Sequence, residues 1–449
     1  MNAQADSGPL SQSAIFKLYL PLAFSWVFMA LEAPICQSVL SRLPEPTLNT
    51  AAFLIVMTLS IWIESPVIDL LSTSTTLVKD RAGFRVVRRF ALALMALVTL
   101  AHALIVFTPA YWAITLGAMQ LPRDVAECAR LGMMIMVPWS AFIGWRRFLQ
   151  GVMISRGQTK QIGFSTLSRV VMVTLTSGAL FFAFHNTTFD VAPMAIVTIA
   201  LVVSVAVEAG FVHLVSRPIV RELPESAPTP KDLSTRSLVK FHAPLTGTTM
   251  VMLIGGPLVS AALSRAANPV DVLAGWQVAM VVTFLHRTIV FALPEVVITL
   301  AKDDQSVAAL RKFCLTVGCF ASGSMLLMAA TGGDAAFFRG PLHAEAGPAH
   351  QAHLAYLAAI GLPIVGAIQS YLRGMLTKEH LTTARLVAIL IGIGTLVAGL
   401  GLIVTLKMVN VVTASIALQV AMLIELGTLA WFWKHRGRRV KPELAVAAS

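Results

Sequence analysis

KLYLPLAFSWVFMALEAPICQSVLSR, residues Lys17 to Arg42, decides the fold once it is set beside KFHAPLTGTTMVMLIGGPLVSAALSR, residues Lys240 to Arg265. Lys17, Pro21, Leu22, Pro34, Leu40, Ser41 and Arg42 meet Lys240, Pro244, Leu245, Pro257, Leu263, Ser264 and Arg265, each 223 positions later (244 − 21 = 223). Both stretches are apolar, long enough to cross a bilayer, and interrupted by proline in the same places. The offset recurs where Lys79-Asp80 meets Lys302-Asp303, where Arg88-Arg89-Phe90 meets Arg311-Lys312-Phe313, and where Leu149-x-Gly151 meets Leu372-x-Gly374. Isolated matches arise by chance over so long an overlap, whereas clusters sharing one offset do not. The sequence reads as a membrane protein made of two homologous halves.

Composition agrees. Of 449 residues 57% are hydrophobic and only 12% charged, with a mean hydropathy of +0.78. A soluble chain of this length needs far more charge to cover its surface. The net charge of +12 lies in short clusters between apolar segments, which is a topology signal and not the footprint of a nucleic-acid module. Cys36, Cys128, Cys314 and Cys319 fall in apolar segments at unrelated spacings and read as small core residues. The start, MNAQADSGPLSQSA, lacks the basic opening of a cleavable signal, so the first helix is expected to be its own membrane signal.

A span needs roughly 20 apolar residues. About twelve such runs stand out, near 16–40, 48–76, 89–108, 124–147, 162–185, 193–216, 239–264, 271–299, 311–331, 351–374, 385–406 and 411–433. One set of connections is basic: Lys79 to Arg89, Arg146 to Lys160, Arg217 to Lys240, Lys302 to Lys312, Arg373 to Arg385, and the tail with Lys434, Arg436, Arg438, Arg439 and Lys441. The alternate connections, such as HNTTFDVAP and TGGDAAFFRGPLHAEAGPAH, are nearly free of basic residues. The basic set is expected to be cytoplasmic, with both termini inside a multi-pass cell (inner) membrane protein. The halves are expected at 1–216 and 239–449, joined by a proline-rich cytoplasmic linker at 217–238 and followed by a short basic tail. Six spans per half keep both halves in one orientation around an axis along the membrane normal, enclosing a central cavity. The fold class is all-α, with about twelve spans in two homologous six-helix lobes.

Prolines 21, 34, 66, 138, 244, 257, 294 and 363 lie inside spans. Each removes a backbone hydrogen bond and tends to kink its helix, by plain packing geometry or as a hinge. A charge at mid-bilayer costs about 2.5–3.5 kcal/mol on insertion scales, so it faces protein or water. The first half carries Glu32, then Glu64 and Asp69 around Pro66. The second half has Gly255 in the register of Glu32 and Arg287 in that of Glu64, with His242, Thr246, Thr248, Thr249, Gln277, His286 and Glu295 as further polar residues. Arg287 is either neutralised by Glu295 or by a first-half carboxylate, or it lines a cationic surface that receives an anion. Arg169, Glu208 and Glu425 lie nearer span ends, where snorkelling or bundle contacts explain them. Arg146 and Arg147 read as the cytoplasmic end of the fourth helix, or as collectors of anions at an inward mouth. Walker, GxSxG, HExxH and CxxC patterns do not occur, and the outer histidines 343, 350 and 353 lack tight ligand spacing. The expectation is a non-enzyme with no cofactor, no catalytic residue and no metal site.

The chain resembles the multidrug, oligosaccharidyl-lipid and polysaccharide exporter superfamily and, within it, the progressive ankylosis family of pyrophosphate, nucleotide and citrate exporters. Three stretches carry the likeness: Glu32-Ala-Pro to Leu40-Ser41-Arg42 with Gly256-Pro257-Leu258-Val259 to Leu263-Ser264-Arg265; Ser65-Pro66-Val67-Ile68-Asp69 followed by Lys79-Asp80-Arg81; and Tyr371-Leu372-Arg373-Gly374 after Pro363. The long acidic tail of animal members is missing. The resemblance implies a secondary-type transporter exporting small organic or phosphate-bearing anions by alternating access between two lobes. Multidrug extruders of the superfamily use acidic first-lobe residues to bind protons or sodium against cationic drugs, and lipid-linked sugar flipping is a third reading. The substrate-binding candidates are Arg287, His286, His242, Glu32, Asp69 and Glu64, and the expected partners are a small anionic substrate, a coupling proton or sodium, and the lipid bilayer.

Overall fold

The computed structural model describes residues 10–158, 160–185, 191–225, 233–379 and 381–435, and their regular structure is all helical. The N-terminal segment 1–9, Asn186 to Asp190 of the HNTTFDVAP connection, linker residues 226–232 and the basic tail from Arg436 lie outside the described residues. The first half contains α1 (Gln12–Ala30), α2 (Glu32–Leu40), α3 (Pro46–Ile68), α4 (Leu70–Leu77), α5 (Arg81–Phe107), α6 (Ala110–Trp112) with a π-helical turn at Ala113–Ala118, α7 (Arg123–Ile135), α8 (Trp139–Ser155), α9 (Lys160–His185) and α10 (Pro193–Arg221). The second contains α11 (Thr235–Leu253), α12 (Gly255–Leu263), α13 (Pro269–Thr288), α14 (Leu293–Leu300), α15 (Asp304–Ala330), α16 (Gly333–Arg339), α17 (Ala346–Ala359), α18 (Leu362–Lys378), α19 (Thr382–Thr405) and α20 (Val411–Lys434).

Ten described helices are long and apolar enough to cross a membrane, or twelve when α7 with α8 and α17 with α18 each form one bent span. These two spans bend by 48° and 43°. Pro138 precedes α8 and Pro363 is the second residue of α18, so each removes a backbone N–H donor at the bend. Pro34 and Pro257 are the third residues of α2 and α12, where α1 and α11 break. The spans run longer than the apolar runs suggest. The fourth continues to Ser155, which moves Arg146 and Arg147 from its end to its interior.

The offset of 223 holds at the level of helix boundaries. The helices α11, α12, α14, α15 and α18 begin and end 223 positions after α1, α2, α4, α5 and α8. It shortens in the last hairpin, to 222 at α19 (382 − 160) and 218 at α20 (411 − 193). Each cluster that revealed the repeat also has a physical reason. Asp80 and Asp303 are the N-caps of α5 and α15, accepting from Gly83 N at 2.6 Å and Ser306 N at 2.7 Å. Gly151 of α8 and Gly374 of α18 let their helices approach α4 and α14 closely. A Cβ at Gly151 would collide with Leu71 O, and one at Gly374 would lie 3.1 Å from Pro294 O.

These contacts have measurable consequences. Gly151→Ala should lower thermal stability by about 1–3 kcal/mol, because backbone must move to admit the methyl. Gly178→Ala, which meets nothing within 4 Å, should leave it unchanged; equal melting points for the two variants would refute the close approach. At α15, hydrogen bonds from Ser306 hold the Asp303 carboxyl below the usual carboxylate range. A lowered folded value means the cap contributes fully above the unfolded range near about pH 4 and is lost as pH falls through the lowered value. Hydrogen exchange in the first turn of α15 should therefore accelerate on acidification in the native protein. Correction for intrinsic exchange should leave no such acid step in Asp303→Asn.

The first helix of each half crosses to the other half. Ile15, Tyr19 and Ala23 of α1 are buried in one core with Val290, Leu293, Val297 and Phe313. Tyr19 donates to Ile289 O at 2.8 Å and stands edge-on to Phe313 at 5.2 Å. The repeat-related contacts are His242 Nε2 to Pro66 O at 2.9 Å and His242 edge-on to Phe90 at 5.3 Å. Between these arms α3 packs on α13, and residues 49–56 of α3 are all buried. Leucines and phenylalanines on α5, α9, α15 and α19, such as Leu97, Phe164, Phe320 and Leu402, are exposed to the surroundings, which in a bilayer is the acyl-chain face.

Candidate functional site

Two groups of charged side chains lie inside the spans. In the first half Glu32 opens α2 at the break after α1 and is 5% exposed. Arg169 of α9 forks onto both of its carboxylate oxygens through Nε and Nη2. Glu208 of α10 is fully buried and accepts from Arg146 Nη1 with both oxygens at 2.9 Å and from Ser165 Oγ at 3.3 Å. The Arg169 Nη1 atom lies 3.8 Å from Glu208, which joins the two pairs into one network. Glu64 of α3 and Arg147 of α8 lie within electrostatic reach of this network and of each other. Three guanidiniums thus stand against three carboxylates, brought together by α10 packing on α8 and α9, with α2 against α9 and α3 against α8.

Among the described residues, Glu64 Oε2, Asp69 Oδ2 and Arg147 Nε are buried and accept or donate no hydrogen bond. Asp69 sits at the junction of α3 and α4, beside Thr249 of α11 and in the field of Arg147.

The second half carries the opposite balance. Arg373 of α18 donates to Glu425 Oε1 of α20, through Nε at 3.2 Å and through Nη2. Arg385 of α19 donates to Thr377 Oγ1 at 2.6 Å. Arg287 of α13 is half-buried at the end of its helix, near Arg373, with its guanidinium 6.0 Å from the Phe291 ring. Among the described residues it forms no ion pair. Glu295 is exposed and does not neutralise it; its charged neighbour is Arg385.

The histidines sit apart from Arg287. His286 donates through Nδ1 to Val282 O at 2.9 Å, and its ring faces Tyr356 of α17 at 6.1 Å. His242 is 4% exposed, with Nε2 donating to Pro66 O and Nδ1 sharing a hydrogen bond with the Thr73 hydroxyl at 2.8 Å. Glu32, Glu64 and Asp69 therefore cluster in the first half, Arg287 anchors a second cluster, and His286 and His242 belong to neither.

Of the two explanations for Arg169, Glu208 and Glu425, the structure shows bundle contacts: Arg169 and Glu208 are 5% and 0% exposed and paired, and Glu425 pairs with Arg373. Two readings of the sequence are corrected. Arg146 does not end its helix at the membrane surface but is 3% exposed and bound to Glu208. Arg373 likewise belongs to an interior pair and not to a connection. The available signal was Glu32 itself: a carboxylate inside a span calls for a cation on a neighbouring helix.

No family model matches the chain, and no curated protein matches it in sequence. Solved structures do match over nearly its whole length. An inward-facing conformation of a multidrug resistance MATE family transporter of the MOP superfamily superposes with a TM-score of 0.68 at 12% identity, covering 95% of this chain and 99% of that one. A point mutant of the Vibrio cholerae MATE transporter VcmN gives 0.65 at 15% identity, covering 95% and 97%. The lipid II flippase MurJ in an inward closed conformation gives 0.64 at 12% identity, covering 93% and 87%. The chain has the two-lobed, all-helical MATE-like fold that these structures share.

Proposed function

We propose that this chain is a secondary-type membrane transporter that moves small organic or phosphate-bearing anions by alternating access between its lobes, as exporters of the progressive ankylosis family do. The observation that carries the reading is Arg287. An interior guanidinium with a second arginine beside it and no carboxylate partner among the described residues keeps its full demand for an anion. Arg385, whose Nη1 donates to the Thr377 hydroxyl, lies in turn near Arg373. A multiply charged carboxylate or phosphate offers bidentate acceptors for such groups.

The test is flux from proteoliposomes holding citrate, pyrophosphate or nucleotide, set against efflux of cationic dyes. Anion flux above that of empty liposomes is expected. Efflux of dyes alone would place the chain with drug extruders, and movement of lipid-linked sugar alone with flippases.

Glu64 favours a proton as the coupling ion. Glu32 and Glu208 are each held by arginines, whereas Glu64 keeps one buried oxygen without a hydrogen bond among the described residues. In a proton-coupled cycle Glu64→Gln should abolish the response of flux to a transmembrane pH gradient while exchange at equal pH continues. A gradient response equal to that of the native protein would remove Glu64 from coupling.

A further inference from the structure

The Leu-Ser-Arg triplets that end α2 and α12 lie at the face opposite the basic connections, and each reaches across to the other half. Arg42 Nη1 donates to Pro341 O at 3.0 Å and Nη2 to Gly340 O at 3.5 Å. Arg265 Nη1 donates to Met119 O at 3.1 Å and Nη2 to Ala118 O at 3.0 Å. Ala118 and Pro341 are themselves 223 positions apart (341 − 118), so one acceptor of each pair obeys the same repeat as the donors, while the other pair, Met119 and Gly340, is 221 apart (340 − 119). Serines reinforce both contacts: Ser38 Oγ donates to Pro341 O at 2.8 Å and Ser264 Oγ to Met119 O at 2.5 Å.

The acceptors are the closing carbonyls of short helical segments, where the backbone dipole presents negative charge. They are also braced. Tyr111 of α6 is fully buried and donates to Ala126 O of α7 at 2.6 Å, and Asp334, its repeat partner in α16, accepts from His353 Nδ1 of α17 at 2.5 Å. A guanidinium bound to a fixed carbonyl pair at this face must let go before the two halves can part there.

We propose that Arg42 and Arg265 are matched latches that hold the mouth opposite the basic connections closed, and that their joint release opens the path to that side. The proposal rests on rocking of the two halves as the transport motion. It does not depend on the substrate, so it fails separately from the anion reading.

The test is a distance measurement by double electron–electron resonance in nanodiscs, with nitroxides on Glu127→Cys of α7 and His350→Cys of α17. Both positions are exposed near this face, and the four native cysteines are replaced by alanine. Arg42→Gln with Arg265→Gln should shift the distribution to longer separations, with the closed-to-open ratio falling about tenfold or more. Asp334→Asn, which loosens α16 and touches neither arginine, should shift it the same way by less. Should the double variant fail to fold, Arg42→Lys alone, which keeps the charge and loses the fork, is expected to give a smaller shift in that direction. Distributions identical to the labelled parent in whichever of these variants fold would overturn the proposal.

Discussion

Arg287→Gln should cut anion flux by roughly 10- to 100-fold, the loss of charge-assisted hydrogen bonds to a bound anion. Stability should move little, or rise. An interior cation without a partner is a cost in the empty protein, and a neutral amide of similar reach relieves it. The two readouts separate the readings of this residue. A structural ion-pair partner would lose stability when neutralised and leave flux per folded molecule unchanged. Flux equal to that of the native protein, with the variant folded, would remove Arg287 from the substrate path. Arg287→Lys should recover part of the loss, since charge returns without the planar fork.

Glu208→Ala should have the largest effect on stability, about 3–5 kcal/mol. It leaves Arg146 buried without its carboxylate and strips Arg169 of its second neighbour. Glu32→Gln should cost less, because Arg169 still has Glu208 within 3.8 Å. Replacing Arg146 and Glu208 together by leucine and methionine should restore much of the loss, since matched apolar groups avoid both desolvation costs. Thermal unfolding of the two single variants and the double variant measures the coupling. Additive losses across that cycle would mean that the pair does not act as a unit.

The fold was legible because its signals are long. A run of apolar residues crosses a bilayer whatever its neighbours are, and a repeat at one offset needs only the chain itself. Lys79-Asp80 and Lys302-Asp303 mark helix starts by local chemistry, which a sequence carries openly. The charged network was less legible because partners meet from distant positions: Arg169 and Glu32 are 137 residues apart and Arg373 and Glu425 are 52. Arg146 shows the trap. A basic pair after an apolar run reads as the end of a span, yet a kinked helix carries it on into the bundle. The surroundings of His242 were hidden for the same reason, since docking of α11 across the halves sets its two ring nitrogens against Thr73 and Pro66, 169 and 176 residues away.

The crossing of α1 and α11 has a bearing on how such a chain could arise. Each half carries a donor arm and the seat that the other half's arm fills, with Tyr19 on Ile289 and His242 on Pro66. Each also carries an arginine and the carbonyl pair that the opposite arginine grips. That is the arithmetic of an isologous two-fold interface, in which one surface patch completes itself on a second copy. A single half holds everything the seam asks for, so two copies of one half-length ancestor could have closed the same seam before a linker joined them. The chain is in this sense a homodimer written once, free since fusion to let its two sides diverge, with Glu64 in one copy where the other has Arg287.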